Sequence, residues 1–228
     1  MVLARLDPDL RPVATASVAV GIVIGAFGAV FGVTAVAAGG TVLQACVMSA
    51  LVFTGASQFS AVSVVADGGS SGAALSSALL LGARNGVYGL TMARVLDGRL
   101  AKRMVAAQLV IDETTAMATA QTSRREQAAA FWMTGVTLYF CWMLGTLGGA
   151  LLGSEIDPER WGLDVALPAG FIAMVWPHFR TRNGRLAGVL GALVCLATIP
   201  FVPVGMSILC AAVAVLVGIR PEPERSPA

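Results

Sequence analysis

The sequence predicts an all-α integral membrane protein of about seven transmembrane helices, and three observations carry that prediction. Apolar residues fill 57% of 228 positions and charged residues 12%, which leaves too little polar surface to clothe a soluble domain of this size. From Pro12 to Ala66, and again from Gln127 to Ser154, no charged side chain occurs. Each run exceeds the roughly 20 residues that a hydrocarbon core requires. The long apolar stretch Val42 to Tyr88 is interrupted by Phe53-Thr54-Gly55-Ala56-Ser57-Gln58-Phe59, and its second part carries Arg84. A polar, glycine-containing break and an arginine at membrane depth are tolerated where they face a cavity or a protein interior, so the pattern reads as a transport pathway.

Taken in order, the apolar runs predict spans over Ala14–Ala38, Val42–Ala66, Gly72–Met92, Ala128–Leu152, Val165–Phe179, Leu186–Ile199 and Val204–Ile219. The last three are short. At 1.5 Å per residue a 15-residue helix covers only about 22 Å, so these segments thin the bilayer, extend further or are half-helices buried in protein. Pro168, Pro177, Pro200 and Pro203 mark their breaks. Gly21, Gly25, Gly28 and Gly32 share one face of the first span and invite close approach of a neighbouring helix, expected to be another span of the same chain. The N-terminal dozen residues lack a short apolar region ending in a cleavage site, so the first span is expected to serve as the insertion signal.

The whole chain, 1–228, is expected to be one transporter domain. The glycine-rich stretches around Gly25–Gly32 and Gly145–Gly153 resemble each other with three spans between them. An inverted 3+3 repeat over 14–95 and 128–200, with broken helices and one extra span, follows as an expectation. A connection at 96–126 and a tail at 220–228 complete it. Arg94, Arg99, Lys102, Arg103, Arg124 and Arg125 cluster between the third and fourth spans, and Arg180, Arg182, Arg185, Arg220 and Arg225 fall on the same side under seven spans. The positive-inside rule then puts the connection 96–126 and the C-terminus in the cytoplasm and the N-terminus outside.

The polar residues inside these runs define the candidate site. Ser49, Thr54, Ser57, Gln58, Ser60 and Ser63 supply the second span with donors and acceptors. They serve either interhelical hydrogen bonding or, through unwinding at Gly55-Ala56, capture of the amino or carboxylate group of a zwitterion. An unpaired Arg84 would cost at least about 2.5–3.5 kcal/mol, so either Asn85 or an acid such as Asp112 compensates it, or it offers a bidentate partner to a substrate carboxylate. Asp112 and Glu113 are proton-coupling candidates, though a solvated face beside the basic loops is the plainer reading. His178, the only histidine, sits at a segment end and is a weaker candidate. Cys46, Cys141, Cys195 and Cys210 lie in apolar segments without metal-ligand spacing, which favours packing over disulfides or zinc. No metal or cofactor is expected. The net charge of +2, with basic residues scattered in loops, argues against nucleic acid as a partner; the partner of the surface is the lipid bilayer.

With these residues laid out, the chain resembles the AzlC family, the azaleucine-resistance large subunits of bacterial branched-chain amino acid exporters. The matching stretches are Phe27-Gly28, Phe31-Gly32, Met48 to Phe59, Asp112-Glu113, Trp142 to Thr146, Gly162 to Asp164 and Phe171 to Ala173. The resemblance implies a multi-pass protein of the bacterial cytoplasmic membrane and secondary, proton-coupled export of branched-chain and similar apolar amino acids by antiport. It also implies a complex with a small AzlD-type membrane subunit. Where relatives carry arginine and histidine, this chain has Arg84-Asn85, so a proton role for that histidine does not transfer. On this reading Ser57, Gln58 and Arg84 hold the polar ends of the substrate, and Ser49, Gly55, Ala56 and Asn85 belong to the same binding site. Phe53, Phe59, Trp142 and Phe171 line a pocket for its aliphatic side chain.

Two rivals stand beside the exporter. An intramembrane serine protease would use Ser57 and His178, although the glycine expected two places after a nucleophile is replaced by Phe59. A non-conducting structural subunit would leave Arg84 and the glycine break unexplained.

Overall fold

The computed structural model describes residues 10–153, 172, 176–202 and 206–214, and among them all regular structure is helical. Pro12 suits the first turn of a helix, where its missing N–H has no partner to lose, and α1 runs over Arg11–Ala37. It ends at Gly39, whose φ of 91° belongs to the left-handed region. Thr41 and Gln44 then exchange hydrogen bonds of 3.2 and 2.8 Å in a capping box that starts α2, Val42–Val52. After a break come α3, Ala56–Ala66, and α4, Ser71–Met92, the latter capped by Ser70 Oγ. Two short helices follow, α5 over Leu100–Gln108 and α6 over Asp112–Thr119. A Ser123–Glu126 capping box opens α7, Arg124–Leu152, earlier than the expected Ala128. α8, Arg182–Thr198, and α9, Met206–Ala211, close the described chain, with single 3-10 turns at Trp176–Arg180 and Ala212–Ala214.

Close approach of α1 and α7 organises the fold. Ser17 Oγ shares a hydrogen bond of 2.8 Å with Thr134 Oγ1, Gly21 lies on Thr137 and Cys141, Gly28 on Trp142, Gly32 on Thr146 and Ala150, and Gly153 on Val33 and Val36. Both residue numbers rise together, so the two helices run parallel. The spaced glycines of α1 therefore find the neighbour expected of them within the same chain. At about 40 and 43 Å both helices exceed a hydrocarbon core of about 30 Å, and α4, at about 33 Å, also has the length. Their outward faces expose Ile22, Leu79, Leu90, Leu144 and Leu151, as lipid contact requires.

The second predicted span does not cross. α2 descends from the C-terminal end of α1 until Ser49 meets Thr146, and α3 then turns back. Phe59 packs on Phe31 with ring centroids 5.4 Å apart, and Ala61, Val62 and Val65 share a cleft with Ala35 and Ala38 of α1 and Gln44 of α2. A straight helix would put Gln44 and Val62 about 27 Å apart. The run Val42–Ala66 is thus a re-entrant hairpin that enters and leaves at one end of the bundle, each arm about 16 Å long.

The connection expected at 96–126 is a second hairpin, from the other end. Asp97 pairs with Arg124 through contacts of 3.0 and 3.1 Å, Lys102 Nζ stands 5.7 Å from the centroid of Trp132, and Leu109 abuts Gly135. α5 therefore dips alongside α7. α6 climbs back until Gln127 Nε2 donates to Gln121 O at 3.0 Å. Reading Asp112 and Glu113 as part of a solvated face is corrected accordingly, because both stand at the inner tip of this hairpin.

These two findings change the expected topology. The start of α1, the hairpin 100–119 and the start of α7 share one end, whereas seven full spans put the N-terminus and the basic connection on opposite sides. The inversion expected between copies starting near residues 14 and 128 does not hold either, since α1 and α7 are parallel and their glycine faces resemble each other as two halves of one contact. The inverted pair in the described chain is smaller: a full-length helix followed by a re-entrant hairpin, first at 11–66 and then at 71–119. Cysteines placed at Leu10 and Thr122 in a cysteine-free background should respond alike to an impermeant maleimide, and opposite to one at Gly69. Equal labelling at Leu10 and Gly69, as seven straight spans require, refutes the hairpins. Of the last three predicted spans, Leu186–Ile199 coincides with most of α8, and Val165–Phe179 lies largely outside the described residues.

Candidate functional site

The tip of the first hairpin is built on backbone that few residues tolerate. Phe53 holds φ 38° and ψ 46°, the left-handed region, and Gly55 holds φ 56° and ψ −79°. The latter is open only to glycine, and a bulky residue in the former stores of order 1–3 kcal/mol of strain. Something must over-determine this geometry. Gln58, 0% exposed, closes the turn: its Oε1 accepts from Gly55 N at 3.3 Å and its Nε2 donates to Ser49 Oγ at 3.0 Å. Ser49 Oγ also accepts from Trp142 Nε1 at 3.1 Å and shares a 2.9 Å bond with Thr146 Oγ1. Around this network Phe31, Phe59 and Trp142 pack edge and face, and Phe53 rests on Tyr139 at 5.0 Å between centroids.

The second tip locks onto the first. Gln108 Nε2 donates to Ala50 O at 2.9 Å and to Leu51 O at 3.0 Å, and Tyr139 Oη donates to Ala50 O at 3.2 Å. These are carbonyls from the last turn of α2, which have no partner within their own helix. Across the turn Thr114 Oγ1 accepts from Ile111 N at 3.0 Å and donates to Leu109 O at 2.7 Å, while Leu109, Val110 and Ile111 are buried. The N-termini of α3 and α6 thus both end inside the bundle, and their partial positive charges favour an anionic group there.

α4 passes both tips at its midpoint. Arg84 Nη1 lies 3.3 Å from Asp112 Oδ2 at the start of α6, with the side chains 30% and 27% exposed. A Cβ on Gly82 would stand 3.3 Å from Ser57 Oγ, so that hydroxyl faces α4 at Gly82. Five buried side-chain atoms among the described residues have no hydrogen-bond partner: Thr54 Oγ1, Ser57 Oγ, Ser60 Oγ, Asn85 Oδ1 and Thr115 Oγ1. All five belong to the two hairpins and to α4. Each unpartnered buried group costs about 1–3 kcal/mol, and native structures hold few of them. Their restriction to the two hairpins and the helix that passes both tips marks the candidate binding region.

The structure thus separates the candidates named from the sequence. Ser49, Gln58, Phe53, Gly55, Phe59 and Trp142 converge, with their polar groups engaged with one another, the rings of Phe59 and Trp142 in contact, and Phe53 on Tyr139. Ser57, Arg84, Asn85 and Asp112 stand on the other side of the first tip, toward α4, and Ala56 is buried at the start of α3. Glu113 is the next residue of α6. Phe171 lies outside the described residues, as does the side chain of His178 on its 3-10 turn. Among the described residues Ser57 Oγ has no hydrogen-bonded base, so the geometry does not favour the protease reading. Sequence reasoning missed Gln108, Tyr139 and Thr146 as parts of the site. A lone glutamine after a basic turn looks like a solvated side chain, and only the second hairpin reveals its carbonyl partners.

The family model described as AzlC protein matches residues 19–156, which include both hairpins and α4. The inner membrane protein YgaZ of Escherichia coli (strain K12) is 29% identical over 200 residues, covering 82% of this chain and 81% of that protein. An uncharacterized membrane protein of Helicobacter pylori (strain ATCC 700392 / 26695) is 27% identical over 175 residues, covering 75% and 77%. No solved structure matches the chain.

Proposed function

This chain belongs to the AzlC family, and from that premise we propose that it is the large subunit of a secondary exporter of branched-chain and similar apolar amino acids. It is a membrane protein. The observation that carries the reading is the set of five unpartnered polar atoms beside the Arg84–Asp112 pair, at the level where two opposed hairpins meet. Hairpin tips and half-helix ends at mid-depth are how transporters offer polar contacts to a substrate without opening a lipid-facing gap. Ser57, Arg84 and Asn85 line the path, and Ser49, Gln58, Phe53, Gly55, Phe59 and Trp142 hold the first tip in shape for it. Glu113, beside Asp112, carries the coupled proton, and a small AzlD-type subunit completes the complex.

Placing the cluster of basic residues at 94–125 in the cytoplasm now takes the N-terminus there too, because both lie at one end of the bundle. Labelled leucine should enter inverted vesicles that hold both subunits when a pH difference is imposed, and should not when the small subunit is omitted. No uptake of leucine, isoleucine, valine or methionine with both subunits present overturns the assignment. A cysteine at Ser57 should react with a hydrophilic thiol reagent; a scaffold without a conducting path would keep it dry.

A further inference from the structure

The polar atoms at the meeting of the hairpins are not an arbitrary set. Asn85 Oδ1 is an acceptor and asks for a donor; Ser57 and Thr115 hydroxyls both donate and accept; Arg84 is a cation with a planar fork; Asp112 is an anion. A site that must satisfy all of them takes a ligand with a carboxylate and an ammonium close together. A sugar brings neither charge, an inorganic ion brings one, and a fatty acid lacks the donors that Asp112 and Asn85 Oδ1 require.

The pair itself is poised for exchange. Its closest contact, 3.3 Å, is longer than the 2.7–2.9 Å typical of charge-assisted hydrogen bonds, and both side chains keep more than a quarter of their surface exposed. It links the middle of α4 to the first residue of α6, so it also tethers the second hairpin to α4. Breaking such a pair by removing one partner is costly, whereas replacing each partner by the complementary end of one ligand keeps both charges compensated.

We propose that the Arg84–Asp112 ion pair is a latch opened by substrate exchange: the carboxylate of a zwitterion takes the guanidinium and its ammonium takes the Asp112 carboxylate. Occupied, the site frees the second hairpin from α4; empty, the pair re-forms and holds it. This rests on the transport reading above and adds which group binds which end, and that the site is closed by an ion pair when no ligand is bound.

The test uses proteoliposomes holding the complete two-subunit complex and measures labelled leucine uptake. Leucinamide lacks the carboxylate and 4-methylpentanoate lacks the ammonium, so each should compete at least tenfold less well than unlabelled leucine. Asp112→Asn should lower uptake at least tenfold. The double exchange Arg84→Asp with Asp112→Arg should restore the melting temperature lost in either single variant yet leave uptake at least tenfold down, because the substrate would have to bind reversed. Uptake restored by the double exchange, or unchanged in Asp112→Asn, would make the pair a structural tether and overturn the proposal. Should the doubly exchanged chain fail to fold, competition at the wild-type protein decides: analogues as effective as leucine refute the exchange. A wild-type complex that carries no zwitterion at all overturns the transport reading itself, a distinct outcome.

Discussion

Gly149→Leu should prevent stable folding, and even Gly149→Ala should lower the melting temperature in detergent by several degrees. A methyl group at Gly149 would run into the backbone of Ala29, and one at Gly145 into the backbone of Gly25. These are main-chain atoms of a parallel helix, so no side-chain rotation relieves the overlap; α1 and α7 must separate. Overpacking of a fitted interface costs about 1–3 kcal/mol and sometimes more. Separation also loosens the contact through which Thr146 and Trp142 reach Ser49. Gly148 is the control: a Cβ there meets nothing within 4 Å, and Gly148→Ala should leave the melting temperature unchanged or slightly raised. A thermal-shift series in which Gly148→Ala and Gly149→Ala behave alike would refute this account of the glycine face.

The second large effect is expected from Ser49→Ala. One hydroxyl meets Gln58, Trp142 and Thr146, all buried, so deleting it strands the donors of Gln58 and Trp142 together. Each stranded group costs about 1–3 kcal/mol in a buried setting, although interhelical hydrogen bonds in membranes average nearer 0.6 kcal/mol because the unfolded chain finds other partners. For the two groups the sum is about 1–6 kcal/mol, released at the tip rather than across the bundle. Hydrogen exchange should therefore rise most over 53–58, while Thr15→Ala, which removes an exposed hydroxyl bonded only to Arg11 O, should alter neither exchange nor stability. Uniform protection at the tip of Ser49→Ala would show that the strained turn is held by its aromatic packing alone.

Much of the helix content was legible from the chain itself. The boundaries of α1 and α4 follow from apolar runs bounded by proline, glycine and N-capping serine, and the break at Phe53–Gly55 was visible as a polar interruption with the one residue type that such a turn requires. The importance of Arg84 was visible too, because a guanidinium in an apolar run demands a partner. Asp112 was one of the partners the sequence left open beside Asn85 and a substrate carboxylate, and the structure pairs the two at 3.3 Å. Gln58 illustrates the opposite case: its place beside a glycine break pointed to ligand binding, whereas its amide closes the turn on Gly55 and Ser49.

By itself, the sequence determined that this protein is helical, that it belongs in a bilayer, that the chain breaks at residues 53–55, and which polar residues lie at depth, because apolar runs, glycine and capping residues act locally. Only the tertiary structure decided that Val42–Ala66 folds back instead of crossing, that 100–119 re-enters from the other end, and hence which ends share a side. A 25-residue apolar run satisfies its backbone equally well straight across a membrane or reversed at one turn. The choice between them lies in distant contacts: Ser49 with Thr146, Gln108 with Ala50, and the glycines of α1 with α7.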